Sequence, residues 1–131
     1  MKRHLTVVAA CIADGEEVFI YQRNAGDAFG MLWEFPGGKV EDNEELPEAI
    51  IREIREEVGV RVSIDKKIGT FEDENETLKI TVYLFKARIA GGSLRKIDCR
   101  DFCWTTIDKL GSFNLAPVDK KIARFLQENG I

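Results

Sequence analysis

The chain has 131 residues, 44% hydrophobic and 32% charged, the size and balance of one soluble globular domain over 1–131 with its own core. Its net charge of −4 argues against binding a nucleic-acid polymer, because that affinity comes from clustered Lys and Arg, so an anionic ligand needs a local device. No stretch approaches the ~20 apolar residues that cross a bilayer, and Cys11, Cys99 and Cys103 suggest neither a disulfide framework nor a zinc site, so reduced cysteines in the cytoplasm are expected.

Lys2 and Arg3 precede the apolar run Leu5 to Ala13 in a way that mimics a secretion signal. The run is short and leads straight into a turn, so it is expected to be a strand. His4 to Ala13, the turn at Asp14-Gly15, and Glu17 to Gln22, with Val18 and Ile20 alternating against polar neighbours, predict a hairpin. Asn24 to Gly38, with four glycines and Pro36, reads as a long structured loop before a helix. Val60 to Phe71 and Leu78 to Ala90 predict two strands around an acidic turn, Glu72 to Glu76, with Gly91-Gly92 ending the second. Asp101 to Thr106 predicts a short strand. Pro117 to Asn129 predicts a helix whose apolar face carries Val118, Ile122, Phe125 and Leu126. This order predicts an α/β class of the α+β kind, a mixed sheet between helices.

In the central helix, Ile50, Ile51, Ile54 and Val58 form one apolar stripe at about 100° per residue. Glu53, Glu56 and Glu57 fall together on a neighbouring strip, while Glu48, Arg52 and Arg55 point elsewhere on the wheel. Like charges at this spacing cost roughly 0.2–0.5 kcal/mol per pair. A divalent cation such as Mg²⁺ would offset that cost, since it takes oxygen ligands and bridges carboxylates to phosphates. The bland alternative is a solvated acidic face with Glu48 and Arg52 as an ordinary i, i+4 pair, in a structural or partner-binding domain that holds no metal. Gly37-Gly38 before the helix permit close backbone approach, and Gly59 after it suits a left-handed cap.

Gly38, five residues, Glu44, seven residues, then Arg52-Glu53-Ile54-Arg55-Glu56-Glu57-Val58-Gly59-Val60 resembles a complete Nudix box, the defining motif of the Nudix hydrolases. "EFPGGK" at Glu34 to Lys39, the chain length and the order of elements resemble the MutT-like branch, the small nucleoside triphosphate pyrophosphohydrolases. The resemblance implies an α/β/α sandwich with a loop-helix-loop catalytic motif. It implies Glu56 and Glu57 as ligands of Mg²⁺, for which Mn²⁺ could substitute, with the Gly37 carbonyl as a backbone ligand. Glu53 is then a further ligand or the general base, and Arg52 orients a neighbouring glutamate by a charge-assisted hydrogen bond. Asp98, in "DCRDFCW", stands where this branch usually has a Glu. Being one methylene shorter, it reaches the metal directly, through water, or is a solvated loop acid.

The resemblance also places Arg23 near the phosphates, where a guanidinium matches phosphate oxygens; otherwise it is a surface Arg on a strand end. Phe35 packs against the ligand or into the core. Asn114 and Asp119 are the polar candidates for contacting the base, and Asp119 could instead be a first-turn acid favoured by the helix dipole. The implied activity is hydrolysis of a nucleoside triphosphate, canonical base or modified, to monophosphate and pyrophosphate by water attack at the β-phosphorus. Sanitation of an 8-oxo-guanine nucleotide and CTP-type hydrolysis both fit. The alternatives are another nucleoside diphosphate derivative (ADP-ribose, a nucleotide sugar, a dinucleoside polyphosphate) and a nonenzymatic nucleotide-sensing module. The expected partner is the nucleotide alone, with the chain a monomer or homodimer and no membrane involved.

Overall fold

The computed structural model describes residues 1–27 and 29–131. In chain order they form β1 (Arg3–Asp14), β2 (Glu17–Gln22), β3 (Trp33–Glu34), β4 (Gly37–Lys39), α1 (Leu46–Val58), β5 (Val60–Glu74), β6 (Leu78–Gly92), β7 (Asp101–Thr106), a 3₁₀ turn (Ile107–Ser112) and α2 (Pro117–Asn129).

The long apolar run at the start is strand, as expected, and its lack of alternation has a cause. Val8, Ala10 and Ile12 pack with α1, while Ala9 and Cys11 pack with α2, so β1 is covered on both faces. It pairs in parallel with β6, from Arg3 opposite Leu78 to Ile12 opposite Ala87. Its other edge is divided, with Val7 to Ala9 pairing β4 and Ala13-Asp14 pairing β2. The mixed sheet runs β3-β2-β1-β6-β5, with β7 on β2 and β4 on β1. The helices α1 and α2 lie on opposite faces. This is the sheet between helices that the order of elements predicted.

Several expectations need correction. The neighbours of Val18 and Ile20 are not polar: Phe19 and Tyr21 are buried beneath α1, while Val18 and Ile20 face α2, so β2 is apolar on both sides. The Asn24 to Gly38 loop contains the two short strands β3 and β4. The turn between β5 and β6 is tighter than Glu72 to Glu76, because Glu72 to Glu74 continue the ladder and the Asn75 side chain closes the turn, accepting from the backbone N–H of Thr77 and Leu78. Gly91-Gly92 end β6 as expected, but from within the ladder, since they pair with Arg61 and Val60.

Among the described residues, no helix is long and apolar enough to cross a membrane.

Candidate active site

A cleft of about 560 Å³ opens along β1 and β6 beside β4. Gly37, Gly38, Glu53, Glu57 and Asp98 line one part of it. Leu5 and Val7, which pair in register with Ile80 and Val82, line another with Phe35, Val118 and Asp119.

The carboxylates are placed by α1, whose buried stripe of Ala49, Ile50, Ile54 and Val58 seats it on the sheet. Gly59, at φ 79°, stops the helix in the left-handed conformation expected of it. Glu53 and Glu57, one turn apart, are partly buried and reach the cleft. Glu56 does not: its side chain is 57% exposed and lies off the lining, so the three glutamates diverge rather than aim at one place. Consecutive helical residues point about 100° apart, so with Glu57 turned into the cleft Glu56 faces solvent. Among the described residues, no three His, Cys, Asp or Glu side chains converge closely enough to hold a metal by themselves.

Arg52 does not point away from this group. Its guanidinium grips Glu44 with Nε and Nη2 at 2.7 and 2.9 Å, and Nη1 donates to Glu53 Oε1 at 2.9 Å. Nη2 also donates to the Lys39 carbonyl at 3.1 Å. Glu44 is thereby held down at about 2, by the Arg52 hydrogen bonds first. Glu53 moves the other way, upward, because burial outweighs the help of Arg52. A Cβ on Gly38 would collide with the Glu53 carboxyl, so this glycine is the space in which that carboxyl rests.

Glu57 is the most perturbed of the α1 carboxyls. Burial pushes it up to about 9, even though the Tyr21 hydroxyl donates to its Oε2 at 2.7 Å. Its Oε1 is buried with no hydrogen-bond partner among the described residues. A buried, unpaired carboxylate oxygen is costly and is the donor atom a hard cation would take. Glu57, Glu53 and the Gly37 carbonyl therefore fit Mg²⁺, which needs only one or two carboxylates and keeps several waters. The backbone of Glu57 also accepts from the N–H of Ile97 and Asp98, at 3.2 and 3.0 Å, which fastens Asp98 beside the helix end. The Asp98 side chain lines the cleft and accepts from Asn24 Nδ2 at 3.2 Å.

Of the expected ligand-contacting residues, Arg23, Phe35 and Asp119 border the cleft and Asn114 does not. Arg23 is not a free surface residue. Its Nη1 donates to Glu34 Oε1 at 2.8 Å and its buried Nε has no partner among the described residues. Phe35 is both core and wall. Asp119 is 4% exposed, and its Oδ1 accepts from the Phe35 backbone N–H at 3.0 Å. Burial, and next the nearby Glu34, raise the Asp119 carboxyl well above the usual range. Asn114 is exposed and takes part through its backbone, whose carbonyl accepts from Trp33.

A model of the NUDIX domain matches residues 2–128. The chain is a Nudix hydrolase. It is similar to a protein of Escherichia coli K12 named CTP pyrophosphohydrolase, 30% identical over 115 residues that cover 88% of this chain and 85% of that one. It is also similar to the 8-oxo-dGTP diphosphatase of Proteus vulgaris, 42% identical over 82 residues covering 59% of this chain and 73% of the relative. The MutT protein of Methanosarcina mazei Go1 shares the fold, with a TM-score of 0.86 at 24% identity over 99% of this chain and 98% of that one. Together these make it a MutT-like Nudix hydrolase.

In this Nudix hydrolase, the sequence reading missed Tyr21, Glu34 and Asn24 at the site. Tyr21 lies with Phe19 on the face of β2 that was expected to be polar, and the partner of its phenol is 36 positions away in the sequence. Glu44 stood in the box motif without a role, because its grip on Arg52 crosses the turn before α1 and follows no helical spacing.

Proposed function

We propose that this Nudix hydrolase cleaves a nucleoside triphosphate to monophosphate and pyrophosphate, and that its base pocket takes a cytidine or an oxidised guanine nucleotide. One observation carries this reading: a single cleft holds the carboxylates Glu53 and Glu57 beside Gly37 and Gly38, and also apolar walls around the buried Asp119. A polyphosphate and a base thus each find matching chemistry in one cavity. The names of the Escherichia coli and Proteus relatives support both substrate classes.

Glu57, Glu53 and the Gly37 carbonyl would hold Mg²⁺ or Mn²⁺, with Asp98 at the margin. When bound, the cation neutralises phosphate charge and lowers the pKa of water. Arg52 holds Glu53 in place, and Glu53 or its neighbour accepts the proton of the attacking water. The water oxygen bonds to the β-phosphorus, and the bridging oxygen leaves with the monophosphate. Arg23, half-buried and paired with Glu34, offers its unpartnered Nε to a phosphate oxygen. Burial favours the protonated form of Asp119, which would present an O–H donor to a base-edge acceptor. The three free cysteines suit work in the reducing cytoplasm.

The test is pyrophosphate release from a panel of canonical and oxidised nucleoside triphosphates, with and without Mg²⁺, beside Glu53→Gln and Glu57→Gln. Mg²⁺-dependent release from a cytidine or oxidised guanine nucleotide, lowered roughly 100-fold or more by each substitution, is expected. Cleavage of ADP-ribose, a nucleotide sugar or a dinucleoside polyphosphate in its place would overturn the substrate class. Cation-independent turnover would overturn the mechanism.

A further inference from the structure

Tyr21 has no part in the chemistry above, yet its hydroxyl touches two of the groups assigned to the cation. It lies on β2, 2% exposed, on the face covered by α1. Its Oη is 2.7 Å from Glu57 Oε2 and 3.3 Å from the Gly37 carbonyl oxygen. A phenol carries one hydrogen, so it donates to the nearer oxygen, that of the carboxylate. Glu57 Oε1 then remains as the oxygen with no partner among the described residues. Tyr21 itself has little freedom to move, because its backbone is held in register between Glu34 of β3 and Phe102 of β7. Phe19, two residues earlier on the same face, buries a plain phenyl ring against Phe102 and Trp104, whereas the ring of Tyr21 carries an oxygen bonded to Glu57.

We propose that Tyr21 is a positioning residue: its hydroxyl fixes the Glu57 side chain against the Gly37 carbonyl, so that Oε1 is the oxygen presented to a divalent cation. This rests on the reading of Glu57 as a cation ligand. A rigid strand supplies the anchor and a mobile side chain receives it, the arrangement in which an outer partner tunes metal affinity about 10–100-fold.

The experiment is a double-mutant cycle of the wild type, Tyr21→Phe, Glu57→Gln and the double variant. Mn²⁺ binding is measured by titration calorimetry without nucleotide, and kcat and KM are measured at saturating Mg²⁺. Tyr21→Phe is expected to weaken Mn²⁺ binding about 10-fold or more and to lower kcat with little change in KM. In the Glu57→Gln background the same substitution should change Mn²⁺ affinity less than about two-fold, since its effect runs through that side chain. Equal losses in both backgrounds would show a structural role and overturn the proposal, as would an unchanged affinity in Tyr21→Phe alone. Wild-type Mn²⁺ affinity in Glu57→Gln would instead remove the ligand reading of Glu57 itself. The metal-free melting temperatures of the four proteins check that each is folded.

Discussion

Asp119 and Glu57 are both buried carboxyls raised chiefly by burial, yet their supports differ: a backbone N–H for Asp119 and a phenol for Glu57. For Asp119, burial favours the protonated form, which carries a donor where an ionised acid has none. Asp119→Asn keeps the volume and the acceptor for Phe35 while removing the titrating group. Because the amide also keeps a donor, discrimination between the preferred base and its competitors, read as a ratio of kcat/KM values, should persist in Asp119→Asn and fall about 10-fold or more in Asp119→Ala, which removes the hydrogen bond. Stability gives a second readout. A carboxyl raised in the folded state binds its proton more tightly there than in the unfolded chain. Its contribution is therefore fully present below the unfolded value near 3.9 and is lost as pH rises toward the folded value. Asp119→Asn should flatten that part of the curve and be the more stable protein at alkaline pH, as thermal melts across pH would show.

At the scale of elements, two glycines of β4 do different work, Gly37 against β1 and Gly38 against α1. A Cβ on Gly37 would strike the Val8 carbonyl of β1, a backbone atom that cannot step aside, whereas on Gly38 it would strike the mobile end of Glu53. Gly37→Ala should therefore lower the melting temperature by several degrees, the shift that about 1–3 kcal/mol makes in a domain of this size. Gly38→Ala should leave it nearly unchanged and still lower kcat by displacing Glu53. Measuring melts and turnover for both variants separates the two. Such elements were legible to different degrees. The β1 run, the α1 stripe and the Gly59 cap could be read because local period and turn chemistry decide them. The division of β1 between β4 and β2, the outward turn of Glu56 and the reach of Arg52 could not, because each depends on tertiary neighbours or on a side chain longer than the wheel on which it was plotted.

Across the whole molecule, the cleft gathers four carboxyls that burial raises, Glu34, Glu53, Glu57 and Asp119, while the lowered acids Glu44, Glu72, Glu74 and Asp101 lie in ion pairs outside its lining. The pairs of Glu72, Glu74 and Asp101 are exposed and contribute little. The raised set dominates, and each member loses stability as pH climbs from the unfolded carboxylate range, through about 9 in the case of Glu57. The metal-free protein should thus melt at progressively lower temperature between about pH 6 and 9. Mg²⁺ at about 10 mM should restore more at the alkaline end, where the cation no longer has to displace a proton. An equal Mg²⁺ effect at both ends would contradict a cation seated on Glu57.

The parallel pairing of β1 with β6 bears on how the protein is made. During synthesis from the N-terminus, Arg3 to Ile12 leave the ribosome long before Leu78 to Ala87, with which they pair, and both faces of β1 await helices that are also still to come. The antiparallel partners β5 and β6 can zip through a short local turn, whereas β1 must wait as an apolar, unpaired strand. That interval is when the nascent chain is most open to aggregation, and the cleft, floored by β1, comes into being only when it closes.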